Sequence, residues 1–305
     1  MASTVMIGCS ESCRQIEYDI QCASRSDAKV LISGESGVGK EVVARLIHER
    51  SQRNRGPMVA INCASIPDTL LASELFGHMK GSFTDAHRDK RGWLEMANGG
   101  TIFMDEIGEM SLRMQALMLR FLETGEIQRV GSERQGPALN VRVITATHRR
   151  LLERIADKTF REDLYYRLNV IHVEVPALRD RAEDISVLLS HFLREAAAAH
   201  RTPEPELAAD ALSRLVEYPW PGNVRELKNI AERLVLRPHN GRIGPDDLPV
   251  EIWKERRVQL ASGAPQDQRP ALGEQLFERM LKGGESLWAA VYEPFMTRDL
   301  TLEDL

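Results

Sequence analysis

The sequence of 305 residues lacks the features of a membrane protein or a secreted protein. No stretch approaches the roughly 18 consecutive apolar residues that a membrane-spanning helix requires. Residues 1–8 also lack the basic region and the apolar core of a signal peptide. These absences predict a cytoplasmic protein that has no membrane among its partners.

Cysteine is scarce, and its positions form no CxxC pair. The four residues are Cys9, Cys13, Cys22 and Cys63. This spacing is typical of reduced, unpaired thiols in a cytoplasmic protein, and we expect free cysteines here. A metal site built from the first three is the less favoured alternative.

Basic residues are not in excess, because 40 Lys and Arg stand against 45 Asp and Glu and give a formal charge of −5. A chain with this balance has no global positive field to recruit nucleic acid. The sequence contains neither internal repeats nor heptads. Its length is compatible with about two domains, and its hydrophobic content of 43% is ordinary for a globular protein.

The most informative stretch lies between a predicted strand over residues 30–32 and a predicted helix. It consists of Gly34, Glu35, Ser36, Gly37, Val38, Gly39, Lys40 and Glu41. The spacing of Gly34, Gly39 and Lys40 is that of a phosphate-binding P-loop. Glycines let backbone N–H groups close around phosphate oxygens, since a Cβ would block that approach, and the lysine reaches the outer phosphates. An ordinary glycine-rich turn is the alternative, but the order of strand, turn and helix favours a nucleotide site.

Glu41 departs from the general P-loop pattern, which has Ser or Thr at this position to bind magnesium. A carboxylate aimed at a triphosphate would be repelled, so we expect Glu41 to turn away from it. The carboxylate still gains from the positive end of the helix dipole. Mg²⁺ would then depend on phosphates, water and a carboxylate from elsewhere in the chain.

Polar residues end two further predicted strands. A strand over 99–104 ends in Asp105 and Glu106, which form the natural second half of a P-loop ATPase. Asp105 can hold Mg²⁺, and Glu106 can orient and activate the attacking water. A solvated acidic turn is the less favoured alternative. Asn62 ends another strand, where open α/β sheets place ligands, although a turn-forming Asn is an equal alternative.

Other candidates are weaker on local evidence. Thr147 and His148 follow a predicted strand over 141–146 and could sense a terminal phosphate, although a lone His is more often structural. Arg161 and Arg167 could be arginine fingers aimed at the phosphate of a neighbouring subunit, or they could form ordinary surface salt bridges.

Five separated motifs occur in one order along the chain. They are GESGVGKE at 34–41, GSFTDA at 81–86, GGTIFMDE at 99–106, FREDL at 160–164 and WPGNVREL at 220–227. Together they resemble the central AAA+ ATPase domain of sigma-54-dependent transcriptional activators, the bacterial enhancer-binding proteins. The resemblance covers about residues 5–250 and is specific, because several separate motifs agree.

The resemblance implies an ATPase that binds ATP and Mg²⁺ and forms a ring, usually hexameric, with sites between subunits. It implies that Lys40 binds phosphate, that Asp105 binds Mg²⁺ and that Glu106 prepares the water. Asn62 would be a switch that restrains Glu106 until the phosphate state changes. Glu41 is usual in this family.

The same resemblance assigns roles outside the phosphate cradle. Thr147 falls at the first sensor and Arg225 at the second, while Arg161 and Arg167 fall at the fingers. An Ile-Gly pair just upstream of the P-loop strand, Ile7 and Gly8, could pack on the adenine ring.

A partner-binding loop is also implied, and it consists of Gly81, Ser82, Phe83, Thr84, Asp85 and Ala86. In the family this loop contacts sigma-54 and is raised or lowered by the nucleotide state, and residues 125–136 match a second loop that supports it. The motif usually has the sequence Gly-Ala-Phe-Thr-Gly-Ala, so Ser82 and Asp85 are departures. Asp tolerates the left-handed backbone region better than most residues, but its charge bears on the strength of sigma-54 engagement. His148 stands where Asn is usual.

The predicted fold class is therefore α/β. We expect an AAA+ P-loop domain of three layers around a parallel sheet over residues 1–178, followed by a small all-α lid over 179–250. Residues 251–305 are expected to be a linker and an acidic segment of unknown role without a recognisable helix-turn-helix, so promoter or enhancer DNA is a possible partner for which this chain has no binding motif. The usual N-terminal sensory domain is expected to be absent.

The leading hypothesis is an ATP-hydrolysing activator that converts closed complexes of the sigma-54 RNA polymerase holoenzyme to open complexes in the bacterial cytoplasm. One alternative is an AAA+ ATPase of the same build that acts on a different target, as the changes at Ser82 and Asp85 suggest. The other is a truncated regulator that binds ATP but turns it over poorly.

Overall fold

A five-stranded parallel sheet is the centre of the computed structural model, which describes residues 5–82, 86–132, 134, 136–237 and 241–252. These residues belong to one compact unit within 1–252. The predicted loop residues Phe83, Thr84 and Asp85 lie outside the described residues, as does the predicted C-terminal segment from position 253 onward.

The secondary structure mixes strands and helices up to residue 174 and is then mostly helical. In chain order the elements are α1 (Glu11–Ser24), β1 (Val30–Ser33), α2 (Lys40–Glu49), β2 (Met58–Asn62), α3 (Asp68–Phe76), β3 (Gly77–His78), β4 (Lys90–Arg91), α4 (Trp93–Met96), β5 (Thr101–Asp105), α5 (Leu112–Thr124), β6 (Arg142–Thr147), α6 (Leu151–Ala156), α7 (Glu162–Leu168), β7 (Ile171–Glu174), α8 (Glu183–His200), β8 (Glu206–Leu207), α9 (Ala209–Glu217), α10 (Asn223–Leu236) and β9 (Arg242–Ile243). Within the described ranges, no helix combines the length and the apolar composition that crossing a bilayer requires.

The central sheet has the strand order β2-β5-β6-β1-β7, and every neighbouring pair is parallel. Parallel strands covered on both faces are near-continuous apolar runs, and all six residues of β6 are buried. The register sets Ser33 beside Thr147 and Asn62 beside Asp105. The carboxyl ends of the strands therefore meet at one edge, where open α/β sheets bind ligands.

Helices cover both faces of this sheet and make three layers. One apolar core joins α1 and α2 to the sheet and includes Ile20, Leu46 and Phe103. The other core lies under α3 to α7 and includes Leu75 and Met104. This arrangement confirms the predicted α/β fold class.

The helical region from α8 to α10 has its own apolar core, centred on Trp220. The Trp220 ring is fully buried, and its Nε1 donates to the carbonyl oxygen of Leu215 at 2.8 Å. Its ring packs edge-on against Tyr218, with centroids 5.1 Å apart. An indole that is buried with its N–H satisfied fixes the turn that precedes α10. A short parallel pair, β8 with β9, completes this region.

Two segments meet beside α4: the one between α3 and α4, called the first insertion, and the one between α5 and β6, called the second insertion. The antiparallel pair β3 and β4 forms the base of the first, and the segment around Val130 belongs to the second. Val130 N donates to Gly77 O at 2.9 Å, and Met79 N donates to Val130 O at 3.0 Å. Arg129 also forms an ion pair of 2.9 Å with Glu95 on α4. Backbone hydrogen bonds and an ion pair thus tie the second insertion to the base of the first.

Candidate functional site

The P-loop connects β1 to α2, and two of its glycines are required by the chain itself. Gly34 has φ +150°, and a Cβ there would lie 2.3 Å from the carbonyl oxygen of Val175. Gly37 has φ +80°, and a Cβ there would lie 2.5 Å from the carbonyl oxygen of Gly222. We expected these glycines to admit phosphate, but their immediate reason is close backbone packing. Gly39, with φ +106°, is different because a Cβ there would meet nothing within 4 Å.

Lys40 is the first residue of α2, and its ammonium lies inside this turn. Its Nζ donates to the carbonyl oxygens of Gly34 at 2.8 Å and Glu35 at 3.0 Å. Burial lowers the pKa of Lys40, while the carboxylates of Glu106 and Asp105 oppose that shift. A buried cation, a helix N-terminus and the open space beside Gly39 together fit a phosphate group. Glu41 points away from this cradle and pairs with Arg45 at 2.7 Å on the exposed face of α2.

The two acids predicted from the sequence face the lysine from the end of β5. Glu106 Oε1 lies 3.8 Å from Lys40 Nζ. Asp105 Oδ1 accepts from Glu106 N at 3.0 Å, and burial, followed by the charge of Glu106, raises the pKa of Asp105. No group of three potential metal-ligating side chains occurs among the described residues. A single carboxylate fits Mg²⁺, which usually takes one or two carboxylates and completes its shell with phosphate oxygens and water.

Glu106 is held by His148, a contact that we did not predict. His148 donates to Glu106 Oε2 from its backbone N at 3.2 Å, and its Nδ1 lies 2.6 Å from the same oxygen. Asn62, expected to restrain Glu106, is engaged locally, because its Oδ1 accepts from Ala64 N at 2.9 Å and caps a short 3₁₀ turn. The turn-forming alternative for Asn62 therefore describes this structure.

Thr147, the residue expected at the first sensor, is buried at the end of β6. Its carbonyl oxygen accepts from Gly34 N at 3.3 Å, and its Oγ1 accepts from Arg149 N at 3.0 Å. Its hydroxyl also stands 2.9 Å from the position of a Cβ on Gly108. Thr147 thus joins the start of the P-loop to the turn that follows Glu106.

The start of α10 lies directly on the P-loop. Arg225, expected at the second sensor, donates from Nη1 to Ser36 Oγ at 3.0 Å and from its backbone N to Gly37 O at 3.2 Å. Asn223 Nδ2 donates to Glu35 Oε2 at 3.1 Å and to Ser36 O at 3.0 Å. Hydrogen bonds from Arg179 and Asn223 lower the pKa of Glu35 to about 2.

The N-terminal segment is tied to α8 by a buried carboxylate. Asp184 accepts from Cys9 N at 2.6 Å and from Ser10 N and Oγ, each at 2.8 Å. Gly8 packs closely here, since a Cβ would lie 2.6 Å from Cys13 Sγ. Ile7 packs against the core of the helical region, so Ile7 and Gly8 lie at the junction of the segment with that region. No local pattern indicated this role for Asp184, because an acid in the first turn of a helix normally faces solvent.

The predicted finger residues have their contacts on α5 and α7. Arg161 forms an ion pair of 2.7 Å with Asp163, and both side chains are partly exposed. Arg167 donates from Nε and Nη2 to Leu122 O, at 3.4 and 3.3 Å. These contacts do not bring either arginine to Lys40 or to Glu106.

Residues 6–174, more than half of the chain, match the sigma-54 interaction domain family. The chain belongs to this family. Residues 179–264 match the AAA+ ATPase lid domain. The resemblance predicted from five motifs is therefore confirmed.

Two relatives illustrate the match. The regulatory protein AtoC of Escherichia coli is 49% identical over 227 residues, which are 74% of this chain and 49% of AtoC. The transcriptional regulatory protein ZraR of Salmonella typhimurium is 47% identical over 247 residues, which are 81% of this chain and 56% of ZraR. The chain spans about half the length of these curated relatives.

A solved structure supports the same assignment. NtrX from Brucella abortus in complex with ATP superimposes with a TM-score of 0.75 at 32% identity, and the match covers 95% of this chain and 66% of that chain. The fold is thus shared with a protein whose structure was solved in complex with ATP.

The structure describes the base of the predicted sigma-54-contacting loop, with Gly81 and Ser82 before the tip and Ala86 after it. Gly81 N donates to Ala86 O at 2.8 Å, which closes the base. Ser82, a departure from the usual motif, donates its hydroxyl to Met79 O at 2.8 Å. The second insertion touches this serine, because a Cβ on Gly131 would lie 2.5 Å from Ser82 Cβ. The hydroxyl of Ser82 is therefore hydrogen-bonded within its own turn, and the residue packs against the second insertion.

Proposed function

We propose that this chain hydrolyses ATP and uses the turnover to convert closed promoter complexes of sigma-54 RNA polymerase to open complexes. The observation that carries the proposal is that Lys40, in its cradle, faces the Asp105–Glu106 pair. The chain in which this occurs belongs to the sigma-54 interaction domain family. Phosphate binding and a water-activating carboxylate are the two parts that phosphoryl transfer to water needs.

The residues of the site divide the chemistry. Lys40 and the P-loop amides bind the phosphates, and Asp105 holds Mg²⁺, which would neutralise charge on the phosphate oxygens. Glu106 accepts a proton from the attacking water while the water oxygen bonds to the terminal phosphorus and the bond to ADP breaks. Thr147 lies between the P-loop and the turn after Glu106 and acts as the first sensor. Arg225 contacts the P-loop from α10 and acts as the second.

We further propose that the site is completed across a ring, which in this family is usually a hexamer. Arg161 and Arg167 would serve the phosphates of a neighbouring subunit. Their contacts within this chain, to the partly exposed Asp163 and to a backbone carbonyl, support this assignment, since neither arginine serves its own site. Residues 1–178 would form the nucleotide-binding part and 179–250 the lid. The work would take place in the bacterial cytoplasm.

Residues 81–86 are the proposed contact with sigma-54. The conformational change driven by the nucleotide would pass through α3 and α4 to the base of this loop, because these helices flank β3 and β4 in the chain. The Ser82 hydroxyl bonds within its own turn, so we expect this departure alone to leave sigma-54 binding intact.

The deciding experiment is promoter opening. Purified chain, sigma-54 holoenzyme and a supercoiled sigma-54 promoter are combined with ATP or a non-hydrolysable analogue, and unpaired thymines are detected by permanganate. We expect opening with ATP only, and none with the Glu106→Gln variant. ATP hydrolysis without opening, and without sigma-54 capture in an ADP–metal fluoride state, would point to a different target. Absence of hydrolysis would leave only a nucleotide-binding regulator.

A further inference from the structure

In the part of the chain that the structure describes, the hydrogen bonds to the Glu106 carboxylate go to one of its two oxygens. Oε2 accepts the backbone N–H of His148 and lies 2.6 Å from the Nδ1 of the same residue. Oε1 faces the phosphate cradle, 3.8 Å from Lys40 Nζ. The two oxygens of this carboxylate therefore have different surroundings.

The backbone fixes this orientation. Glu106 has φ 55° and ψ 45°, a left-handed conformation that residues with a Cβ rarely adopt. Its N–H donates to Asp105 Oδ1, which anchors the turn. The side chain reaches the end of β6, where His148 follows Thr147. A strained conformation at a candidate site is a reason to look for what it positions.

We propose that His148 is the positioning residue of Glu106. It occupies Oε2, so that Oε1, the oxygen on the side of Lys40, takes the proton of the attacking water. In that step one O–H bond of water breaks, the proton moves to Oε1, the water oxygen bonds to phosphorus and the phosphorus–oxygen bond to ADP breaks. His148 exchanges no proton. The inference rests on the ATPase function proposed above.

The surroundings of the imidazole agree with this role. A carboxylate can only accept a hydrogen bond, so Nδ1 carries the hydrogen in the contact with Glu106. The neutral Nδ1–H tautomer and the imidazolium both satisfy this condition, and the contact does not require a charged ring. On the other side, Nε2 lies 4.0 Å from Glu109 Oε1. Arg149 and Arg154 pair with Glu109, at 2.6 and 3.6 Å, and so hold this second carboxylate in place beside the ring.

The test compares three variants in steady-state ATP hydrolysis. His148→Ala removes the ring but leaves the backbone donor. His148→Asn puts an amide nitrogen close to the position of Nδ1 and removes the far side of the ring. Arg150→Ala is the control, since Arg150 is an exposed neighbour that pairs with Glu153. For each variant kcat, KM for ATP, the Kd of a fluorescent ATP analogue and the thermal unfolding midpoint are measured.

We expect His148→Ala to lower kcat about tenfold, which corresponds to about 1.4 kcal/mol, with KM and the analogue Kd nearly unchanged. We expect His148→Asn to restore most of kcat and Arg150→Ala to behave as wild type. An unchanged kcat in His148→Ala overturns the inference, and so does an Asn variant as impaired as Ala. If His148→Ala lowers nucleotide affinity and the unfolding midpoint as well as kcat, the inference is also overturned, because that pattern indicates a purely structural role. A wild-type chain without any turnover overturns the proposed function itself, and this inference with it.

Discussion

The carbonyl oxygen of Gly222 lies 2.5 Å from the position that a Cβ on Gly37 would take. The turn before α10 and the P-loop therefore touch backbone to backbone, and Arg225 and Asn223 add hydrogen bonds on either side. The wall of the proposed nucleotide site therefore includes both the P-loop and the start of α10. Glycine at position 37 keeps this contact closed.

Gly37→Ala tests this contact through stability. The new Cβ would clash with Gly222 O and would also sit at a φ of +80°. We expect the free energy of unfolding to fall by about 2 kcal/mol or more, measured by urea unfolding. Gly39→Ala is the matched control, because its φ of +106° is also unfavourable but its Cβ has open space. Equal losses in the two variants would show that backbone strain, and not the contact with Gly222, is the cause.

Glu35 should make stability depend on pH at the same junction. Arg179 and Asn223 lower its pKa in the folded chain to about 2, from an ordinary value of 4.5. The unfolded chain therefore takes up a proton first as the pH falls. The contribution of Glu35 is complete above about pH 4.5 and is lost between that pH and about 2.

The measurement is urea unfolding of wild type and Glu35→Gln between pH 7 and pH 3. Because the Glu35 side chain is 45% exposed, solvent screens its pair with Arg179. We expect the variant to be less stable by only about 0.5–1 kcal/mol at pH 7 and the difference to shrink below about pH 4.5. Glu123→Gln, at an exposed position on α5, serves as the control. A difference that stays constant with pH would contradict the assignment.

The sequence predicted the sheet and the P-loop because both depend on local patterns. Apolar runs mark the buried strands, and glycine spacing marks the turn between β1 and α2. The contacts that define the site are not local. His148 and Glu106 are 42 residues apart, and Asp184 and Ser10 are 174 apart. No periodicity reports such pairs.

Asn62 shows that the contacts of a side chain can escape prediction even where its place in a strand is predicted. Its place at the end of a strand was predicted correctly, and the register of the structure sets it beside Asp105. Its side chain nevertheless bonds two residues along its own chain, as Asn commonly does in turns. The position of a residue at a strand end can thus be inferred from the sequence. The direction of its short polar side chain cannot.

The contact between the two insertions can be tested with Gly131→Ala. A Cβ there would lie 2.5 Å from Ser82 Cβ, and φ is +82°. We expect the base of the proposed sigma-54-contacting loop to be displaced, so that sigma-54 capture in an ADP–metal fluoride state and promoter opening both decrease. ATP hydrolysis should persist, since the cradle is not touched. Gly241→Ala, with φ +79° and open space around its Cβ, is the control. Normal capture by Gly131→Ala would show that the contact is dispensable.

Arg161 and Lys40 should belong to one working site only when they come from different subunits. Lys40→Ala removes the phosphate-binding cation, and Arg161→Ala removes a proposed finger, so we expect each variant alone to be nearly inactive in ATP hydrolysis. In a mixture, some interfaces combine the intact cradle of one variant with the intact arginine of the other. Activity should therefore reappear on mixing and rise with total protein concentration. Mixing Lys40→Ala with Glu106→Gln is the control, because both changes lie in the same half-site and no interface regains both. Recovery in this control, or no recovery in the first mixture, would contradict a site shared between subunits.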